Sequence, residues 1–138
     1  FFLLAMDQLV NSAAKWKYMF GRKKSLPITI RLIIGRGWGQ GPTHSQSMES
    51  VFSYFPGLKV VMPLMPSDAK NILISSIFDP NPVIFLEHRW LYDIKDEVPE
   101  KDYRVSLNKS KIMIIIKHKP IKVKKYIETV FIKILPSL

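Results

Sequence analysis

The chain has no cysteine among its 138 residues. That excludes disulfides, thiolate nucleophiles and cysteine-ligated metal, and it fits a reducing compartment. The expected location is therefore the cytoplasm, or the mitochondrial matrix in a eukaryote. Long apolar runs are missing too. The opening "FFLLAM" has no basic leader and turns polar at Asp7 and Gln8, so it reads as neither a signal peptide nor a membrane span. No other stretch reaches the roughly 18 to 20 apolar residues needed to cross a bilayer, and no membrane partner is expected. Glycine is scarce, with six in all, and four of these fall in one loop at positions 35, 37, 39 and 41.

Acidic residues are outnumbered 11 to 21 by lysine and arginine, for a net charge of +10. From Tyr103 onward nine basic residues face the single acid Glu128, so +8 of that charge lies in the last 36 residues. A basic face for nucleic acid would spread over the domain, whereas here it is confined to a tail, and a solvated extension is the commoner form of such a run. No nucleic-acid partner is expected. The rival reading is a non-catalytic interaction protein that holds nucleic acid or an anionic membrane through this tail, and it predicts salt-sensitive binding that vanishes when residues 103–138 are removed. A degenerate gene product without a stable fold is a third reading, since a half-domain exposes sheet edges and apolar helix faces.

Hydrophobic spacing organises the rest. Met6, Leu9, Val10, Ala13 and Ala14 form one stripe of a helix expected from Ala5 to Phe20, ending at Gly21. "ITIRLII" after Pro27 reads as a strand buried on both faces. Met48, Val51, Phe52 and Phe55 predict a second helix from Ser45 to the Pro56-Gly57 stop, and "LKVVMP" a second strand. Ser67 is the expected N-cap of a third helix whose inner face is Ala69, Ile72, Leu73, Ser76 and Ile77, broken by "DPNP" at 79–82 before the strand "PVIFL". Alternating helices and buried strands predict an α/β fold, a parallel sheet flanked by helices, with a basic C-terminal extension. The order opens on a helix, so an upstream piece is expected to supply the first strand. Residues 93–102 suit a linker, and "KIMIII" fits one more strand.

The loop "RGWGQGPTHSQ" (36–46) matches neither G-x-G-x-x-G nor a Gly-Lys-Ser/Thr phosphate loop. A tight turn is the commoner use of such glycines. His44 lies past the carboxyl end of a strand, where open α/β sheets bind ligands, and a histidine there can move protons near neutral pH. A solvated or capping histidine is the plainer alternative. His88 and His118 show no metal-ligand spacing with it, and Trp16, Trp38 and Trp90 read as packing residues.

"AMDQLVNSAAKWKYMFG", "GPTHSQSMESVFSYFPGLKVVMP" and "SDAKNILISSIFDPNPVIFLEHRWLY", in register over about 1–92, resemble the beta subunits of thiamine-diphosphate-dependent 2-oxo acid dehydrogenases of the pyruvate, acetoin and branched-chain type. The resemblance implies a transketolase-like pyrimidine-binding domain over 1–95. Residues 96–138 would then be a linker and a divergent tail, a degenerate start of the family's next domain. It implies thiamine diphosphate shared with an alpha subunit, magnesium held by that partner, and a heterotetramer of two alpha and two beta subunits. The reaction implied is oxidative decarboxylation of a 2-oxo acid, with acyl transfer to the lipoyl groups of an acyltransferase core. His44 matches the histidine that assists acyl transfer by supplying or removing a proton, and Phe1 matches an aromatic packed on the aminopyrimidine. A potassium site maps onto Ile28, Ser76, Ile77, Asp79 and Asn81. The glutamate that activates the cofactor lies upstream of the position matched by Phe1, so the chain reads as a fragment, inactive alone.

Overall fold

A computed structural model describes residues 2–35 and 39–109. The expected strand at 111–116 and the basic run around it lie outside the described residues. Three parallel strands, β1 (Thr29–Ile34), β2 (Lys59–Val61) and β3 (Val83–His88), pair in the order β1-β3-β2. Helices cover both faces, as the alternation of elements predicts.

Side-chain alternation along β3 divides the core in two. Ile84 and Leu86 face Leu9, Ala13, Ile34 and Phe52, which come from the N-terminal helical segment, β1 and α2 (Glu49–Tyr54). Val83 and Phe85 face the opposite way, packing with Val61 and with Ile72 and Leu73 of α3 (Pro66–Ile77). Because β3 is central, Val83 to Leu86 are all buried, and each such side chain contributes about 1.5–3 kcal/mol of hydrophobic stabilisation.

Burial on two faces thus belongs to β3 and not to β1, where the sequence led us to expect it. β1 pairs only with β3 among the described residues, and α3 lies over the other two strands. Arg31 and Ile33 on that side of β1 are therefore exposed, Ile33 by 53 %. A continuous aliphatic run reports apolarity but not position in the sheet.

The first helix differs from expectation as well. It is a 3-10 turn at Phe2–Ala5, a π-helical stretch at Gln8–Ala13 and a short α1 at Trp16–Met19. The Ala14 N–H donates to Leu9 O, five residues back, at 2.8 Å. An unbroken α-helix would carry Lys17 onto the apolar stripe; the wide turn absorbs one residue and leaves Lys17 outside, near Asn81 (3.4 Å). The C-terminus behaves as predicted. Gly21 adopts φ +58°, with Gly21 N–H donating to Tyr18 O and Arg22 N–H to Lys17 O, which is a Schellman closure.

α2 begins at Glu49 rather than Ser45, and α3 is capped by Met65 with Pro66 in its first turn, so Ser67 is not the N-cap. Within α3 the buried polar residues are Asn71, Ser75 and Ser76, while Ile77 is 55 % exposed. Ser75 and Ser76 hydroxyls donate to the carbonyls four residues back, so their polarity is satisfied inside the helix. The end of α2 needs Gly57: its φ is +94°, and any Cβ would collide with the Ala14 carbonyl. Beyond the sheet, residues 93–104 are exposed, but Leu107 packs on the α3 side of the core. Lys70 fixes this segment through Pro99 O (2.7 Å), Glu100 O (2.8 Å) and Asp102 (2.8 Å).

Candidate functional site

The chain leaves the carboxyl end of β1 at Gly35, whose φ of +83° turns it away from the sheet. Gly35 N–H donates to Gln46 O at 3.1 Å, so the ends of the following loop meet. Gly39 (φ +63°) and Gly41 (φ +79°) supply further left-handed turns at positions where other residues would be strained. Pro42–His44 then forms a 3-10 turn, closed by the Ser45 hydroxyl donating to Gly41 O at 2.8 Å. His44 is thus held in a short turn several residues before α2, not at the helix start as its sequence position implies.

His44 is exposed and lines a cavity of about 160 Å³ at the carboxyl end of β1. Leu32, Ile34, Met48 and Phe52 form the apolar part of this cavity; Thr43, His44, Gln46 and Arg89 bring polar groups to it. Such a site can hold a flat, largely apolar group while one imidazole meets its reactive edge. Phe1 lies outside the described residues. Its neighbour Phe2 lines the same cavity and packs edge-on against Phe52, with ring centroids 5.8 Å apart.

Two residues at the end of β3 escaped the sequence reading. Arg89 lines the His44 cavity, and its Nη1 donates to Gln40 Oε1 at 2.7 Å. The His88 ring lies against Gly35 so closely that a Cβ there would fall 2.5 Å from Nε2. The only signal in the sequence was their place at the end of an apolar run, which says nothing about a partner 50 residues away.

The residues of the expected potassium site gather at the opposite, amino end of the sheet. Val83 N–H donates to Ile28 O at 2.9 Å, Leu26 N–H to Pro80 O at 3.1 Å and Asp79 N–H to Ser76 O at 3.1 Å. The strand lead-in at Ile28 is thereby tied to the end of α3 and the 79–82 turn. Asp79 Oδ1 accepts from the Asn81 backbone (2.9 Å) and side chain (2.8 Å), while Oδ2 meets Lys59 Nζ at 2.5 Å. Burial pushes the Asp79 carboxyl upward, but the bonds from Lys59 and Asn81 outweigh it and hold the group below the ordinary carboxylate range. The Asp79 charge is already answered by Lys59. A cation here would therefore rely on main-chain carbonyls, of which Ser76 O already accepts from the Phe78 and Asp79 N–H groups while Ile28 O accepts from Val83 N–H. Ile77 stands beside them with its side chain outward.

A second cavity of about 410 Å³ opens on the α3 side, between Met65, Leu73, Phe85 and Leu91. At its edge Glu87 accepts from Arg31 Nε (2.5 Å) and Tyr92 OH (2.9 Å). Burial, then the bond to Glu87, raises the Tyr92 phenol above its usual range; the same carboxylate raises Arg31 further. Among the described residues no three His, Asp or Glu side chains gather as metal ligands. Among them, too, no helix is long and apolar enough to cross a membrane.

Comparison with known proteins adds a family to this geometry. The pyrimidine-binding domain of transketolase matches residues 1–95. The beta subunit of the acetoin:2,6-dichlorophenolindophenol oxidoreductase of Cupriavidus necator is 44 % identical over 110 residues, covering 80 % of this chain and 32 % of that protein. The mitochondrial 2-oxoisovalerate dehydrogenase subunit beta 2 of Arabidopsis thaliana is 46 % identical over 111 residues (79 % and 31 %). The pyruvate dehydrogenase E1 component subunit beta of Porphyra purpurea is 42 % identical over 113 residues (82 % and 34 %). The chain spans about a third of the length of the curated relatives it matches.

Proposed function

Since the chain belongs to the family of transketolase pyrimidine-binding domains, we propose that it serves as part of the beta subunit of a 2-oxo acid dehydrogenase. The reaction is oxidative decarboxylation of a 2-oxo acid with acyl transfer to lipoyl groups. The single observation that carries this reading is the His44 turn over a partly apolar cavity at the carboxyl end of the sheet, in a chain whose relatives bear the names of such subunits.

Thiamine diphosphate, when bound, would supply a nucleophilic carbon and an electron sink for loss of the substrate carboxylate as carbon dioxide. The chain's own residues bind and orient around it. Phe2 would offer aromatic surface to the aminopyrimidine, a role the resemblance gives to Phe1, and Leu32, Ile34 and Phe52 would keep water from its apolar side. His44 Nδ1 or Nε2 gives a proton to the lipoyl sulfur or takes one from its thiol as the acyl group moves, the general acid–base role an imidazole can fill. Its exposure fits a residue that must meet a substrate arriving from another protein.

The diphosphate and its magnesium are assigned to an alpha subunit, in a heterotetramer of two alpha and two beta subunits that docks on a lipoyl acyltransferase core. The same reading puts the protein in the cytoplasm or the mitochondrial matrix, and treats 1–95 as the pyrimidine-binding unit and 96–138 as linker and tail. Potassium held by the Ile28, Ser76 and Ile77 carbonyls with the Asp79–Asn81 turn would act as a clip between the lead-in to β1 and the end of α3, stabilising the fold with the logarithm of its free concentration above Kd. Replacing potassium by a large organic cation should then lower the melting temperature; an unchanged melt removes the clip.

Co-expression with an alpha subunit of this enzyme class, followed by calorimetric titration of thiamine diphosphate, tests the main reading. A stable complex that binds the cofactor more tightly than the alpha subunit alone supports it. Failure to co-purify contradicts it.

A further inference from the structure

The loop that carries His44 has two anchors on the end of β3, and neither is explained by sheet formation. His88 is paired in register with Ile34, the last residue of β1. Its Nδ1 accepts from Trp90 N–H at 3.3 Å, which turns the Nε2 edge of the ring toward Gly35. That edge of the ring occupies the space where a side chain at position 35 would stand: Nε2 lies 2.5 Å, and Cδ2 and Cε1 2.9 Å, from an ideal Gly35 Cβ. Gly35 is also the residue whose N–H closes the loop onto Gln46 O, two positions from His44. The next residue of the chain, Arg89, reaches the far side of the loop at Gln40 (2.7 Å).

We propose that His88 and Arg89 act as a positioning clamp for His44: the His88 ring fixes the loop's hinge at Gly35, and the Arg89 guanidinium holds its outer limb at Gln40. This rests on reading His44 as the proton carrier of acyl transfer. Gly35 is glycine for two reasons at once, the left-handed φ of +83° and the imidazole beneath it. The contact makes the hinge rigid where a glycine alone would leave it free, and a reacting group displaced by about 1 Å loses up to about a hundredfold in rate.

The clamp is tested on the full 138-residue chain by amide hydrogen exchange, comparing wild type with His88→Ala, His88→Gln and Gln40→Ala. In His88→Ala, exchange at the Gly35 amide should rise by about tenfold or more, while Val83 to Leu86 keep their protection. His88→Gln, which refills the space, should restore much of it, and Gln40→Ala should loosen residues 39–46 alone. In a full-length beta subunit that contains this segment, assembled with its alpha subunit, His88→Ala should lower kcat for lipoyl acylation by about ten- to a hundredfold with KM for the 2-oxo acid unchanged. A Gly35 amide that exchanges at the wild-type rate in His88→Ala, or protection lost equally along β3, overturns the clamp. The exchange result stands whatever His44 does, whereas unaltered acylation by His44→Ala would remove the proton-carrier reading instead.

Discussion

At the amino end of the sheet the polar groups are spent on one another. Asp79 is bonded by Lys59 and by both nitrogens of Asn81, and the 26–28 and 80–83 segments exchange main-chain bonds. At the carboxyl end the chain turns through three left-handed glycines, closes a loop with one main-chain bond and leaves His44 exposed above a cavity. The first arrangement stabilises; the second leaves His44 in a loop that His88 and Arg89 touch from outside, the contacts proposed above as a clamp. In a parallel sheet the strand carboxyl ends are where ligands meet loops, so this division of labour follows from the topology.

Substitutions at the two ends should therefore fail in different ways. The largest stability effect is expected at the amino end: Asp79→Ala leaves the Lys59 ammonium half buried and unanswered and removes the clasp on Asn81. It should cost about 2 kcal/mol and lower Tm by about 10 °C in thermal unfolding, with cofactor binding by the surviving fold unchanged. The same pair should show in the acid limb. The Asp79 carboxyl is held below its unfolded value, so its contribution is fully present above the ordinary carboxylate range and fades as pH falls through the depressed folded value. Lys59→Met should flatten that part of the stability profile; an identical acid limb would mean that the pair is idle.

Tyr92→Phe comes next, at about 1 kcal/mol, because Glu87 keeps Arg31 but loses one of its two donors. Its phenol is raised in the fold, so the bond is intact below the usual tyrosine range and is lost as pH rises through the folded value, and chemical denaturation at high pH should show no further difference between variant and wild type. The smallest effect belongs to Gln40→Ala on the exposed loop, expected to change stability by less than about 0.5 kcal/mol. A larger loss there would blur the contrast between the ends.

Element types were legible in the sequence because each rests on local periodicity: the strands at 29–34 and 59–61 fall within predicted runs, while the strand at 83–88 runs two residues past "PVIFL" and the helix at 66–77 starts ahead of its expected cap at Ser67. Position within the sheet was misread: "ITIRLII" reads as buried on both faces, yet it lies at the edge of the described sheet with Arg31 exposed, whereas "PVIFL", which has no polar residue, lies at the centre. Local patterning also missed the π turn at Gln8–Ala13, which depends on keeping Lys17 out of the core, and it set α2 four residues early because Pro42–His44 forms its own turn. His44 stood out through family resemblance and its place after a strand. His88 and Arg89 did not, because what defines them is contact with Gly35 and Gln40 across the sheet end.

The central claim is that the carboxyl-end loop exists to present His44 for proton transfer. It is tested most directly by measuring reductive acylation of a lipoyl domain by a full-length beta subunit that contains this segment, assembled with its alpha subunit, wild type against His44→Ala, with thiamine diphosphate binding followed in parallel. The account predicts acylation reduced by about a hundredfold or more with cofactor affinity and Tm nearly unchanged. Acylation at the wild-type rate in a complex that binds the cofactor normally would contradict it.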